Sequence, residues 1–186
     1  MTLLEMKKKV LQLIEEIDTE EESLTGDPDI AAKMNAVLNQ VQYELARIRK
    51  IPAYVSKELK AGEVFDMDSL ERFYQLRLLR FVNEDGQEAG YELVDRVILP
   101  AEAGTATFFY YRFPQDITDD TPDTYEFELA ADALEVMPYG VAADLLKSDV
   151  STEYGEIYSR RYETMLQRLD TRFATGSMYM EGGIEV

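Results

Sequence analysis

The stretch from Ala133 to Phe173 constrains the fold most, because it reads as two consecutive helices. Its second half places apolar and aromatic residues at steps of three and four, the spacing of one helical face. The members of this stripe are Tyr154, Ile157, Tyr158, Tyr162, Met165, Leu169 and Phe173. Interleaved with it are Arg160, Arg161, Arg168 and Arg172. Tyrosine and arginine are the residue types that anchor protein interfaces. The stretch therefore predicts a helix pair that serves assembly and not catalysis.

Two further helices are predicted before this pair. Apolar residues at helical steps place the helices at about residues 3–17, 28–50, 132–148 and 152–173. Asp27 and Pro28 open the second helix, since an Asp side chain caps free backbone N–H groups and proline is tolerated at the first helical position. Pro138 lies inside the third helix or marks its start. Ser151 is expected to cap the fourth.

A small antiparallel sheet is predicted between the second and third helices, over about residues 72–113. Strand-like alternation begins near Phe73, and an Asp-Gly turn follows at Asn83–Gly86. Three more strands are expected at Gly90–Val94, Arg96–Leu99 and Thr105–Phe113. The last has aromatic residues on both faces, which predicts that it is covered on both sides or pressed against a neighbour. Residues 51–65 have a weaker pattern and predict a short helix or an irregular crossing.

These elements predict an α+β fold that is mainly α. A helical bundle carries the inserted sheet, and residues 1–186 form a single domain with a flexible tail at 174–186. Two sets of residues are predicted to form interfaces between subunits, one on the last helix and one on the aromatic strand. They are Tyr154, Tyr158, Arg160, Arg161 and Tyr162 on the helix, and Phe109 and Tyr111 on the strand.

Composition argues against catalysis. The chain has no cysteine and no histidine, so the usual nucleophile, the usual neutral-pH base and the best zinc ligands are missing. Carboxylate pairs such as Glu126 with Glu128 would need a desolvated cleft to act as acid and base. We therefore expect no enzyme and no cofactor, with a carboxylate-based hydrolase as the least favoured alternative.

The acidic span after Phe113 raises the question of a calcium site. No Lys or Arg occurs from Phe113 to Leu146. The run Asp119–Asp123, however, lacks the central glycine of a helix-loop-helix calcium loop and contains a proline, so no metal site is expected. An exposed acidic connection between the sheet and the last helix pair is the simpler interpretation.

The net charge bears on partners. With 37 acidic and 19 basic residues the chain carries a formal charge of −18, which disfavours binding to free nucleic acid and to anionic membranes. No run of eighteen apolar residues is present, so a cytosolic protein is expected. The acidic excess serves solubility or a surface that lies beside DNA without binding it.

Several stretches resemble the head-tail connector proteins of tailed bacteriophages and prophages, also called head-completion or adaptor proteins. The resemblance rests on Asp27-Pro28 before a long helix and on the strand TATFFYYRFP, with the linker at Ile117–Thr124. It continues through FELAADALEVMPYGVAADLLKSD at Phe127–Asp149 and EYGEIYSRRYETMLQRL at Glu153–Leu169.

This resemblance implies a structural virion protein that assembles with itself into a ring, commonly a dodecamer, under the portal protein. Its partners would also include stopper or tail-completion proteins, and DNA would pass through the channel without specific binding. The protein would occur in the host cytoplasm during assembly and then at the head-tail junction of the virion. An alternative from another class is an acidic binding protein, such as a DNA mimic that occupies a basic nucleic-acid-binding partner.

Overall fold

The computed structural model describes residues 1–16, 24–147 and 153–170, and in that part of the chain it shows four helices and two three-stranded antiparallel sheets. The helices are α1 Leu3–Leu13, α2 Pro28–Ile48, α3 Ala131–Leu146 and α4 Glu153–Asp170. The strands are β1 Ile51–Leu59, β2 Phe65–Asp66, β3 Phe73–Asn83, β4 Tyr91–Val94, β5 Val97–Pro100 and β6 Gly104–Arg112. The α+β prediction is confirmed. Ser151, Phe173 and the tail lie outside the described residues.

The helix starts follow from local capping. At α1 the hydroxyl of Thr2 accepts from the Glu5 backbone N–H at 3.2 Å, and the Glu5 carboxylate accepts from the Thr2 N–H at 2.9 Å. At α2 the Asp27 carboxylate accepts from the Asp29 N–H at 2.8 Å, which confirms the predicted start. The predicted end of α1 at residue 17 is wrong, because Glu15 has a φ of 60° and a helix cannot continue through it.

The helical core is centred on α3, which packs against the other three helices. Its fully buried residues include Ala133, Met137 and Val141, and Pro138 lies within the helix. The amide of Gln42 on α2 is also fully buried and donates to the Asn39 side chain and to the Gln115 carbonyl. Small side chains on α3, such as that of Ala133, let the other three helices pack closely against it.

The sheets differ from the prediction in number and extent. One sheet has the order β1-β6-β3 and the other β2-β5-β4. A single sheet at 72–113 was predicted, whereas the structure has two sheets whose first strand begins at Ile51. The expectation of a helix or irregular crossing at 51–65 is wrong. All nine residues of β1 pair with β6, from Ile51 opposite Arg112 to Leu59 opposite Gly104. The pairing partner of β1 lies far along the chain, and Pro52 near its start obscured the local strand pattern.

A second core lies between the two sheets. Ala106, Phe108 and Tyr110 of β6 are buried in it, together with Ile98 of β5 and Met67 of a short 3₁₀ turn at Met67–Ser69. Among the described residues nothing covers Phe109 on the opposite face of β6, so cover on both sides is not confirmed there. The alternative, that this face is pressed against a neighbour, stays a prediction.

The helices and sheets are joined by a carboxylate held between two arginines. Glu128, just before α3, accepts from Arg72 at 2.6 Å and from Arg112 of β6 at 2.7 Å. It also accepts from the Gln115 backbone N–H at 3.0 Å. All three charged side chains are about three-quarters buried, so the pairs are strengthened by the low dielectric around them. We call this group the Glu128 clamp.

Candidate interaction surfaces

The face of α4 that points away from the core is not covered by any other described part of the chain. Tyr154 and Ile157 keep 61% and 54% of their surface exposed, although both belong to the apolar stripe that predicted the helix. Exposed large apolar side chains with arginines close by are typical of interface anchors. Together with Arg160 and Arg161 they form what we call the α4 stripe, and it is the first candidate interaction surface.

Two predicted members of the same interface point inward instead. Tyr162 is only 9% exposed, and its hydroxyl donates to the Glu44 carboxylate on α2 at 2.8 Å. Burial, and then this hydrogen bond, raise the pKa of Tyr162. The hydroxyl of Tyr158 donates to the Leu13 carbonyl at the end of α1, and burial raises its pKa as well. These two tyrosines serve the fold of the subunit.

The two arginines of the α4 stripe are held differently. Arg160 forms an exposed pair with Glu156 one turn earlier, at 3.2 Å. The guanidinium of Arg161 lies over the ring of Tyr139 on α3, 4.3 Å from its centre. Arg161 therefore has a fixed position, since a cation over an aromatic face is attracted by the ring quadrupole.

The outer face of the β1-β6-β3 sheet is a second candidate surface. Phe109 keeps 36% of its surface exposed, and it lies opposite Tyr54 on one side and Leu78 on the other. Tyr54 stacks on Phe109 with ring centres 6.2 Å apart, and both Tyr54 and Leu78 are well exposed. Tyr111 lies two residues further along β6 on the same face, and it is half-buried, with the Lys50 ammonium over its ring. Three strands thus present an unbroken apolar row to the outside.

The sequence did not identify Tyr54 and Leu78 as members of this row. Leu78 lies in the recognised alternation of β3, but its neighbours on the face depend on the register with β6. Tyr54 lies in IPAYVSKEL, where Ile51, Ala53 and Val55 alternate with more exposed residues. That alternation is a strand signal, and Pro52 obscured it although proline is tolerated on an edge strand.

The acidic connection after β6 is bound to the helices. Tyr43 of α2 donates to Asp116 at 2.7 Å, Asn35 donates to Asp119 at 2.9 Å, and Lys7 pairs with Asp123 at 3.8 Å. Burial and the Asp116 carboxylate raise the pKa of Tyr43 to about 12. Within the described ranges, no group of three or more acidic side chains is arranged to hold a metal ion.

In the described part of the chain, no helix is both long and apolar enough to cross a membrane. Comparison of the chain with known protein-family models and with curated protein sequences found no match.

Proposed function

We propose that this protein is a structural, non-enzymatic head-tail connector of a tailed phage or prophage, which assembles into a ring on the portal protein. One observation carries most of the proposal: Tyr154 and Ile157 stay exposed on a helix whose other apolar side chains are buried or half-buried. A subunit that functioned alone would leave these side chains in water. The resemblance of the helix and strand sequences to connector proteins supplies the class of assembly.

The presence of more than one exposed apolar surface supports an assembly in which each subunit has several contacts, as in a ring that also binds the portal. The α4 stripe lies on the helical bundle, and the row Tyr54, Phe109 and Leu78 lies on a sheet. A surface that meets a different surface on the next copy makes a head-to-tail contact, and such contacts close into a ring when the rotation permits. The sheet row is also available to the portal or to a stopper protein.

The charge fits passage of DNA. A ring of subunits that each carry −18 has few cations to replace the counterions of a duplex, so it would not grip the phosphates. DNA can then move through the channel without being held at a particular sequence or position.

The direct test is assembly of the purified chain, alone and with portal rings, viewed by negative-stain electron microscopy and measured by analytical ultracentrifugation. We expect rings at high protein concentration or on the portal. Replacing Ile157 by Glu should reduce assembly while the circular dichroism spectrum of the subunit is unchanged. A persistent monomer that ignores the portal would contradict the proposal. Salt-sensitive one-to-one capture of a basic nucleic-acid-binding protein would support the acidic-binder alternative instead.

A further inference from the structure

We propose that the β4-β5 hairpin of one copy docks on the α4 stripe of the next copy. This inference rests on the proposed ring and specifies which two surfaces meet in it. The hairpin was not among the interface residues that the sequence predicted.

The hairpin presents an exposed patch that is both apolar and acidic. All four residues of β4 are exposed, with Val94 at 64%. Glu92 lies opposite Leu99 and Val94 lies opposite Val97, so these residues share the outer face of the hairpin. The other face carries Ile98, which is buried in the sheet core. The outer face therefore has apolar side chains with a carboxylate among them, and no described residue of the subunit covers it.

Two carboxylates of the hairpin, Glu92 on its outer face and Asp95 in its turn, have no partner among the described residues. The side chains of Glu92 and Asp95 make no hydrogen bond or ion pair with the residues that the structure describes. The tip of the hairpin is nevertheless fixed: Arg96 pairs with Asp68 at 2.6 Å, and its carbonyl accepts from the Met67 N–H at 2.8 Å. The patch is held rigid before any partner arrives, which lowers the entropy lost on docking.

The α4 stripe can pair with such carboxylates through Arg161 and through Arg160, whose exposed pair with Glu156 would open or be shared on docking. Residues three and four apart on a helix are neighbours, so Ile157 lies beside Tyr154, Arg160 and Arg161. Two arginines with exposed apolar side chains are concentrated here in a chain that has few cations. Tyrosine and arginine facing a carboxylate and a valine would bury apolar area and pair opposite charges in the same contact.

The outer row of the other sheet fits α4 less well. Arg77 and Arg80 lie on either side of Leu78 along β3, and both are exposed. Docking that row on the α4 stripe would bring arginines against arginines, which opposes association. Charge therefore favours docking of the hairpin, and not of the sheet row, on the α4 stripe. The sheet row is left for a different partner.

Cysteine cross-linking tests the contact directly, because the chain has no cysteine of its own. We would mix Val94→Cys protein with Ile157→Cys protein that carries a size tag, and add a short bismaleimide. The expected product is the tagged-untagged pair, at least tenfold above the yield from either variant alone. Ala32→Cys, an exposed position on α2 that belongs to neither surface, replaces Val94→Cys as the control and should give background yield.

Charge exchange provides an independent test. The variant Glu92→Arg/Asp95→Asn, in which asparagine suits the positive φ of residue 95, should assemble at least tenfold more weakly than wild type. Arg160→Glu/Arg161→Glu should also assemble more weakly. A mixture of the two should recover assembly, since each altered surface then meets an altered complement. Lys8→Glu/Lys9→Glu, with the same change in net charge as the arginine variant, should assemble like wild type.

The outcomes separate this inference from the proposed function. Rings without the Val94–Ile157 product, or a mixture that assembles no better than its components, would overturn the hairpin contact and leave the connector proposal standing. A Val94–Val94 product in place of the mixed pair would indicate a symmetric hairpin dimer and also overturn it. A wild-type chain that neither forms rings nor binds the portal would overturn both.

Discussion

Gly140 of α3 lies directly against the ring of Tyr162 on α4. A Cβ atom built at Gly140 would be 2.7 Å from that ring, closer than packed atoms approach each other. The ring cannot retreat without losing the hydrogen bond from its hydroxyl to Glu44. The absence of a side chain at Gly140 is what allows a tyrosine to be buried between the two helices.

Gly140→Ala should therefore destabilise the subunit. Overpacking of this kind costs about 1–3 kcal/mol, which exceeds the gain of about 0.5–1 kcal/mol in helix propensity. Urea denaturation followed by circular dichroism would measure the loss. Gly155→Ala is the matched control, because its Cβ would meet Leu146 at an ordinary 3.4 Å. We expect that control to be neutral or slightly stabilising, and equal losses in both variants would contradict the packing argument.

Removal of the Glu128 clamp should weaken the joint between sheets and helices. Glu128→Gln keeps the shape but removes the buried charge between Arg72 and Arg112, which then retain only the more exposed Glu71 carboxylate. The expected loss is about 2 kcal/mol for a partly buried pair. Asp68→Asn breaks the exposed pair with Arg96 and should cost less than about 1 kcal/mol. Denaturant unfolding of both variants gives the comparison. A loss no larger in Glu128→Gln than in Asp68→Asn would show that the clamp does not stabilise the fold.

Alkaline pH should reveal the raised pKa of the Tyr43 hydroxyl, which is partly buried. Its pKa is raised to about 12 in the folded chain, while an unfolded tyrosine has a pKa near 10. Below pH 10 both states hold the proton; between pH 10 and 12 the unfolded state releases it first. The free energy of unfolding should therefore fall as pH rises through this window, by up to about 1.4 kcal/mol per pH unit.

Tyr43→Phe isolates that contribution. Its unfolding free energy should fall less steeply than that of wild type between pH 10 and 12, and Asp116→Asn should give an intermediate slope because it removes the nearby charge. The measurement is urea unfolding at several pH values. Identical slopes in wild type and Tyr43→Phe would contradict the assignment.

The two arginines of the α4 stripe should differ in their effect on the isolated subunit. Arg160→Glu breaks an exposed pair one turn apart and places like charges together, which costs about 0.3–0.5 kcal/mol. Arg161→Glu removes the cation from the Tyr139 ring and should cost about 0.5–1 kcal/mol. Thermal melting of the two single variants would rank them. Unfolding of either subunit would mean that the stripe is part of the core.

Sequence patterns predicted the helices well because their signals are local. Asp27-Pro28 specified the start of α2, and helical spacing placed α3 and α4 within a few residues of their observed bounds. The strands from Phe73 onward were also placed within a few residues. Strand β1 was missed. Pro52 obscured its alternation, and its pairing with β6, which places Ile51 opposite Arg112, cannot be read from local pattern.

The candidate surfaces were predictable only in part for the same reason. Helical spacing identified the apolar residues on one side of α4 but could not distinguish those that are exposed from those that are buried. Tyr154 is exposed and Tyr162 is buried because Gly140 and Glu44, on two other helices, receive the second ring and its hydroxyl. The row on the sheet depends on cross-strand register, which brings Tyr54, Phe109 and Leu78 together from three separate segments.

The insertion of both sheets between α2 and α3 affects the order in which the chain can fold during synthesis. All strands of both sheets lie within residues 51–112, so their pairings can form before α3 has been made. The apolar faces of α1 and α2 must wait for α3, since most of their buried contacts are with it. The helical core therefore closes a long loop late, and the sheet unit is the natural place for folding to begin on the ribosome.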